Sequence, residues 1–209
     1  MSSFFSTSAI DASKIDWAKS GGLVPAVIQD SRSGRVLMLG YMNENALRAT
    51  LETSLVTFFS RSKGRLWQKG ESSGHVLRLR DIKLDCDGDT LLVLAEPQGP
   101  TCHLGTQSCF GDDIAPLLAT LSDLADTIHA RRESPPDESY TARLFAAGTV
   151  RIAQKVGEEA VETALAAATE SPTVINEAAD LLYHLLVLLE ARDVALSDVL
   201  KILKHRARR

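Results

Sequence analysis

Aromatic residues are scarce in this 209-residue chain, at 5%, and cysteine is scarcer still, with three in all. Three is an odd count and too few for a disulfide framework. Reduced thiols in a cytoplasmic setting are therefore expected, with metal ligation left open. An excess of one charge is also missing: 23 Lys and Arg against 27 Asp and Glu leave a formal −4. That balance gives no reason to expect nucleic acid as a partner. The longest nearly apolar run, Leu181 to Leu189, is about half a membrane span and contains His184, so no membrane partner is expected either. Met1-Ser2-Ser3-Phe4-Phe5 has no basic stretch followed by a long apolar one, and no signal peptide is read there. With 44% hydrophobic and 24% charged residues, the composition is that of a globular chain able to bury a core.

What is present divides unevenly. Eleven of the 13 glycines, all three cysteines and both tryptophans precede Asp112, whereas 7 alanines precede it and 18 follow. Glycine punctuates strands and turns, and alanine is the best helix former. The fold class expected is α+β: a β-rich domain over residues 1–112, then an all-helical one over 113–209, joined near Gly111-Asp112-Asp113. Strands are predicted at Leu23–Gln29, Arg35–Met42, Val56–Ser60, His75–Asp85 and Thr90–Glu96, with a hairpin turn at Ser33-Gly34. Asn43–Thr53 reads as a helix capped by Asn43. Apolar alternation slips across Arg80-Asp81, which suggests a β-bulge. Helices are predicted over Ile114–Arg131, over Ser139–Glu170 with a weak point at Gly148, from Pro172 to Glu190, and over Leu196–His205.

The first chemical constellation is Asp85-Cys86-Asp87-Gly88-Asp89. Alternation along a strand puts Asp85 and Asp87 on one side and Cys86 on the other, and Gly88 lets the chain turn so that Asp89 rejoins its partners. Three such carboxylates repel one another unless solvent or a cation separates them, and oxygen ligands suit Mg²⁺, Mn²⁺ or Ca²⁺. An EF-hand is rejected, because Thr90 stands where that loop needs glycine and a strand follows it. Cys102 and Cys109 come next in the chain, and the three thiols do not have zinc-finger spacing. If all three ligate zinc, three protein ligands leave a position for water, whose pKa would fall towards ~7. His103 and His75 are candidate proton carriers or a fourth ligand. Ser60 to Gly70 holds four cations, Arg61, Lys63, Arg65 and Lys69, together with Trp67. The segment reads as a holder for a phosphorylated nucleotide, with the indole as a stacking face, or as a solvated basic loop.

The second constellation is helical. At about 100° per residue, Lys155, Glu158, Glu159 and Glu162 fall within one arc of ~100°, and Glu177 and Asp180 share a face of the next helix. Like charges at this spacing destabilise an isolated helix. Two such helices packed antiparallel would converge five carboxylates, a set suited to Mg²⁺ carrying a polyphosphate, with Lys155 as a substrate contact.

Longer motifs carry a resemblance. Gly22-Leu23-Val24-Pro25-Ala26, Met38-Leu39-Gly40-Tyr41-Met42, Ser60-Arg61-Ser62, Arg65-Leu66-Trp67-Gln68-Lys69-Gly70-Glu71, the Asp85–Asp89 run, Gly99-Pro100-Thr101-Cys102-His103 and Ser108-Cys109-Phe110 occur in one order. They are followed by Ser139-Tyr140-Thr141-Ala142, Ile152 through Glu159 and Asn176 through His184. The chain resembles the bifunctional histidine-biosynthesis proteins that join a phosphoribosyl-AMP cyclohydrolase to a phosphoribosyl-ATP pyrophosphohydrolase of the helical MazG kind. The likeness covers the chain from about Ile15 onward, whereas residues 1–14 match nothing and read as a flexible extension. It implies Mg²⁺ at Asp85, Asp87 and Asp89. It also implies Zn²⁺ at Cys86, Cys102 and Cys109, with thiolates shared between the two chains of a homodimer. The helical metal ligands would be Glu158, Glu159, Glu162, Glu177 and Asp180. That family does not require histidine at position 75, so His103 is the expected proton carrier, and one of the glutamates, taken as Glu159, the expected base. The substrates implied are phosphoribosyl-ATP and phosphoribosyl-AMP. Two competing readings remain: a zinc-stapled binding module without catalysis, which leaves both carboxylate clusters idle, and a MazG-like hydrolase of other nucleotides.

Overall fold

The structure is a computed structural model that describes residues 10–112 and 115–207. The chain divides into two compact units, one ending at Ala119 and the other beginning at Thr120.

In the first unit a four-stranded sheet is built from β1 (Val24–Asp30), β2 (Val36–Met42), β5 (Leu77–Leu84) and β6 (Leu91–Pro97), in the order β2-β1-β6-β5. β1 runs antiparallel to β2 and parallel to β6, and β5 is antiparallel to β6. Val24, Ala26 and Ile28 are wholly buried and alternate with half-buried neighbours, as the pleat requires of a strand with one covered face. The β5–β6 register shifts between Leu79 and Asp81, the bulge that the broken apolar alternation predicts. Helix α1 (Glu44–Thr53) starts where the Asn43 side chain accepts the Ala46 N–H. It buries Ala46, Leu47 and Thr50. The Thr50 hydroxyl accepts from the Thr57 N–H at 2.9 Å and so ties α1 to β3 (Thr57–Ser60).

The basic segment is not a loop throughout. Arg65–Gln68 forms β4, antiparallel to β3, and only the tip between them is a turn. Cross-strand partners Phe58 and Trp67 stack with ring centroids 5.7 Å apart, an aromatic pair of the kind that holds a hairpin. Charge-rich composition masked this short strand. The N-terminal segment is a second correction. Residues 10–14 are not a loose extension: Ala12–Lys14 form a single 3-10 turn capped by Asp11, Ile15 is buried, and the Asp16 N–H donates to the Gly88 carbonyl at 2.8 Å. The remainder of that expectation, residues 1–9, lies outside the described residues.

The second unit comprises α2 (Ala119–Arg131), α3 (Tyr140–Ala147), α4 (Thr149–Ala168), α5 (Val174–Ala191) and α6 (Leu196–Arg206). Helix α2 starts at Ala119 rather than at Ile114, which lies with Asp113 outside the described residues. Ser139 caps α3 through the Ala142 N–H. The predicted stretch over Ser139–Glu170 is two helices. Gly148, at φ 86, closes α3 with its N–H on the Leu144 and Phe145 carbonyls, and α4 departs from it. The core of this unit gathers Ile128, Leu144, Ile152, Leu186 and Val187. A short connection folds α5 back along α4 and faces their two acidic stretches towards each other.

Gly40 of β2 makes the aromatic packing possible, because a Cβ there would lie 2.3 Å from the Phe58 ring. Gly40→Ala is expected to destabilise the chain by about 1–3 kcal/mol, the usual cost of overpacking a core. Denaturant unfolding reads this directly, and an unchanged midpoint would contradict the packing described.

Candidate active sites

The aspartate turn between β5 and β6 is held by its own first residue. Asp85 Oδ1 accepts the N–H groups of Asp89 and Thr90 at 3.0 and 3.1 Å, which curls the loop. Gly88 takes φ 80, and a Cβ on it would lie 2.7 Å from the Lys14 carbonyl, so the N-terminal segment is laid closely over the turn. Asp85, Asp87 and Asp89 offer carboxylate oxygens within 4.8 Å of one another. A cation does separate them, and the chain supplies it: Lys19 Nζ lies 2.6 Å from Asp87 and 2.7 Å from Asp89. Its hydrogen bonds hold the Asp87 and Asp89 carboxyls below the ordinary carboxylate range, and the two carboxylates push the ammonium upward in return. Lys19 is placed by a turn in which its N–H donates to Asp16 Oδ1. Sequence alone concealed this partner, because it stands 68 residues from Asp87. The donor set itself, carboxylate oxygens only, fits a hard divalent cation.

The thiols occupy two places. Cys86 is exposed on the aspartate turn. Cys102 and Cys109 lie together at a cavity of about 510 Å³, also lined by Trp67, Lys69, His75 and His103. The Cys102–Cys109 loop is fastened to β2 through Ser108 Oγ, which donates to the Val36 carbonyl, and through the Cys109 N–H, which donates to that of Leu37. The Leu104 N–H reaches Cys102 Sγ at 3.5 Å and holds that thiol low. Cys109 is exposed as a residue, yet its thiol is desolvated beside Cys102 and pushed up. No group of three close metal-binding side chains among the described residues includes a cysteine. One chain therefore brings two thiols, not three, to this cavity.

Of the predicted substrate contacts, Trp67 and Lys69 line the cavity. Lys69 is buried, donates to the His75 carbonyl at 3.3 Å, and is held below an ordinary lysine by desolvation. Arg61, Lys63 and Arg65 are not among the lining residues. Arg61 sits over the Tyr41 ring at 3.9 Å, and Arg65 is paired with Glu71 at 2.6 Å. His103 lines the cavity with Nδ1 3.9 Å from Cys102 Sγ, and His75 faces the same space.

In the helical unit Glu159, Glu162 and Glu177 bring carboxylate oxygens within 4.8 Å of one another across α4 and α5. Glu158 and Asp180, placed with them on the sequence, are not in that group. Glu158 turns instead to Lys155, Gln154 and Arg151, at 2.9, 2.9 and 3.4 Å. Lys155 also reaches Glu159 at 2.8 Å, so this cluster too holds an ammonium of its own, and the hydrogen bond that Lys155 donates to Glu158 lowers the Glu158 carboxyl. Two residues beyond the sequence reading enter here. His184 is buried against the cluster, its Nδ1 on the Asp180 carbonyl, and Tyr140 reaches His184 Nε2. Their signal was in the spacing, since His184 stands four residues after Asp180 and so shares its helix face.

The first unit matches the family "Phosphoribosyl-AMP cyclohydrolase" over residues 38–111, and the second matches "Phosphoribosyl-ATP pyrophosphohydrolase" over residues 121–207. Among curated relatives, the Histidine biosynthesis bifunctional protein HisIE of Shewanella oneidensis is 60% identical, covering 90% of this chain and 89% of its own. That of Salmonella typhimurium is 57% identical over 92% and 95%, and that of Photobacterium profundum 56% identical over 92% and 96%. The chain belongs to this bifunctional family. As a member of the HisIE family it is a hydrolase with two activities in histidine biosynthesis, the cyclohydrolase in its β-rich half and the pyrophosphohydrolase in its helical half. Both families are metal-dependent hydrolases, and each half holds an acidic cluster. No helix among the described residues is long and apolar enough to cross a membrane.

The Lys19 ion pairs set a pH dependence. A carboxyl lowered in the folded chain stabilises it above the ordinary value of 3.8, and that contribution is lost as pH falls through the lowered value. Lys19→Met should therefore flatten the stability profile in that acidic window, with the difference shrinking in 1 M salt. Thermal unfolding from neutral pH downward checks it, and identical profiles for the two proteins would contradict the pairing.

Proposed function

We propose that the two hydrolyses run consecutively on one chain, with residues 113–209 acting first on phosphoribosyl-ATP and residues 1–112 then acting on phosphoribosyl-AMP. The observation that carries the division of labour is that the two clusters differ in chemistry. The helical one gathers carboxylates with an ammonium and a buried imidazole and has no cysteine, whereas the β-rich unit adds two thiols at a cavity with an indole, an amine and two imidazoles.

In the helical unit, water attacks phosphorus at the α–β bridge, the bridging P–O bond breaks, and pyrophosphate leaves. Glu159 takes the proton of that water as general base. Glu162 and Glu177, with Glu158 and Asp180 at their flanks, hold Mg²⁺, which neutralises phosphate oxygens when bound. Lys155 meets the phosphates from the same helix face.

In the β-rich unit, Trp67 stacks on the purine and Lys69 orients the substrate within the cavity, while Arg61, Lys63 and Arg65 form its outer basic approach. Substitution at N1 leaves the adenine ring electron-poor. Water adds at C6, the N1–C6 bond opens, and His103 carries the water's proton to the departing nitrogen. Cys102 and Cys109 of one chain, with Cys86 of a second, are the Zn²⁺ ligands, and the metal supplies acidification of a coordinated water when bound. The exposed position of Cys86, apart from the cavity thiols, supports sharing across a homodimer. Val150, Val161, Leu165 and Ile175, apolar residues of α4 and α5 that are each more than half exposed, support association through the helical unit. Asp85, Asp87 and Asp89 would hold Mg²⁺, which would supply there the positive charge that Lys19 now provides. The reaction sequence and the reduced thiols fit the cytoplasm, and neither nucleic acid nor membrane has a role in it.

Cys102→Ala is expected to abolish ring opening while pyrophosphate release continues. Loss of both would contradict the chemical separation of the two units. Glu159→Gln is expected to lower pyrophosphate release by about 10²-fold or more, the usual worth of a general base, while added phosphoribosyl-AMP is still opened. Undiminished release would reject the carboxylate cluster.

A further inference from the structure

Histidine 184 is buried, with 5% of its surface exposed, and belongs to none of the roles assigned above. An imidazole in such a place costs free energy unless both ring nitrogens find partners. Both do. Nδ1 lies 2.9 Å from the Asp180 carbonyl, which can only accept, so Nδ1 carries the hydrogen. The neutral ring then has an acceptor at Nε2, and the Tyr140 hydroxyl of α3 donates to it at 3.2 Å. The ring is also packed edge-on against Tyr140 and Tyr183, at centroid distances of 6.0 and 5.0 Å. The Tyr183 hydroxyl is engaged in turn with Thr141 at 2.8 Å.

A packed, satisfied histidine explains stability and nothing more. What sets this one apart is the far side of Nδ1. The Glu159 carboxylate of α4 lies 3.7 Å from it, itself only 5% exposed. The same oxygen, Oε1, is met by Lys155 at 2.8 Å. The imidazole N–H thus faces the buried carboxylate of one helix while it bonds the backbone of Asp180 on the other. Three helices converge on the ring: α3 through Tyr140, α4 through Glu159 and α5 through His184 itself.

We propose that His184, with its tautomer set by the Asp180 carbonyl and its Nε2 engaged by Tyr140, is a positioning residue of the helical site: held on the Asp180 backbone, its ring packs beside the Glu159 carboxylate, 3.7 Å away, and limits where that carboxylate can lie. This rests on the reading of Glu159 as a site carboxylate. With Oε1 held by Lys155 and bounded by the imidazole, Glu159 is kept within the group it forms with Glu162 and Glu177. Groups that orient site ligands in this way typically matter about 10- to 100-fold in metal affinity or activity when replaced.

Asparagine and glutamine separate the two nitrogens. In His184→Asn the side-chain amide N–H falls near the Nδ1 position, and in His184→Gln it falls near Nε2. Mn²⁺ binding is measured by electron paramagnetic resonance on the full chain carrying Asp87→Asn, which silences the aspartate turn, together with kcat and KM for pyrophosphate release. His184→Gln is expected to lose about 10- to 100-fold in Mn²⁺ affinity and in kcat, and His184→Asn to recover most of both. Equal Mn²⁺ affinity and kcat in the two variants, whatever their thermal stability, would overturn the proposal and leave His184 a core residue. If neither variant folds, Tyr140→Phe decides, because it removes one hydroxyl from a residue that is 45% exposed. Reduced Mn²⁺ affinity at unchanged thermal stability supports the proposal, and unchanged affinity overturns it. Failure of the underlying reading looks different, since Glu159→Gln would then keep both Mn²⁺ affinity and pyrophosphate release.

Discussion

Repulsion between gathered carboxylates is the constraint on which both halves of this chain depend. A fold that brings three of them within 4.8 Å must offset that repulsion before any substrate or metal arrives. Each half does so with a lysine of its own. Lys19 bridges Asp87 and Asp89, and Lys155 bridges Glu158 and Glu159. The ammonium in each case reports where positive charge is favoured, which is also where a divalent cation would be held most tightly. The Lys19 pair with Asp87 is exposed and stabilises the fold only modestly, whereas the Lys155–Glu159 pair is largely buried.

The surrounding structure serves that electrostatic arrangement. The 3-10 turn at Ala12–Lys14 and the Asp16–Gly88 hydrogen bond bring the N-terminal segment over the aspartate turn and deliver Lys19. The bulge at Arg80-Asp81 changes the register of β5 before the chain reaches Asp85. In the helical half, the break at Gly148 sends α4 off as a separate helix, so that α3 can carry Tyr140 to the back of the cluster. Backbone specials and local caps thus matter less for what they stabilise than for where they send a charged side chain.

Much of this was legible in the sequence, and the reasons are specific. The Val-, Leu- and Ile-rich run at Leu23–Gln29 marked a strand, the slip at Arg80-Asp81 marked the bulge, and Asn43 marked a helix start. The acidic triplet and the stacked glutamates announced their clusters because their spacing is local. β4 was missed, since four residues inside a charge-rich segment give too short a period to register and the Phe58–Trp67 stack is what reveals the pairing. Lys19 was missed because no local pattern links it to residues 68 positions away. Convergence of five helical carboxylates was too simple an expectation: Lys155, Gln154 and Arg151 draw Glu158 aside, which a helical wheel cannot anticipate.

The account stands on two chemically distinct sites, one with thiols beside two imidazoles and the other a carboxylate cluster without cysteine. The most direct measurement supplies the purified chain with phosphoribosyl-ATP and Mg²⁺ and quantifies pyrophosphate and ring-opened product, with and without a zinc-selective chelator. Pyrophosphate in both samples, with ring-opened product only where zinc is retained, is the result the account predicts. Pyrophosphate release that falls with the chelator as steeply as ring opening does would contradict it.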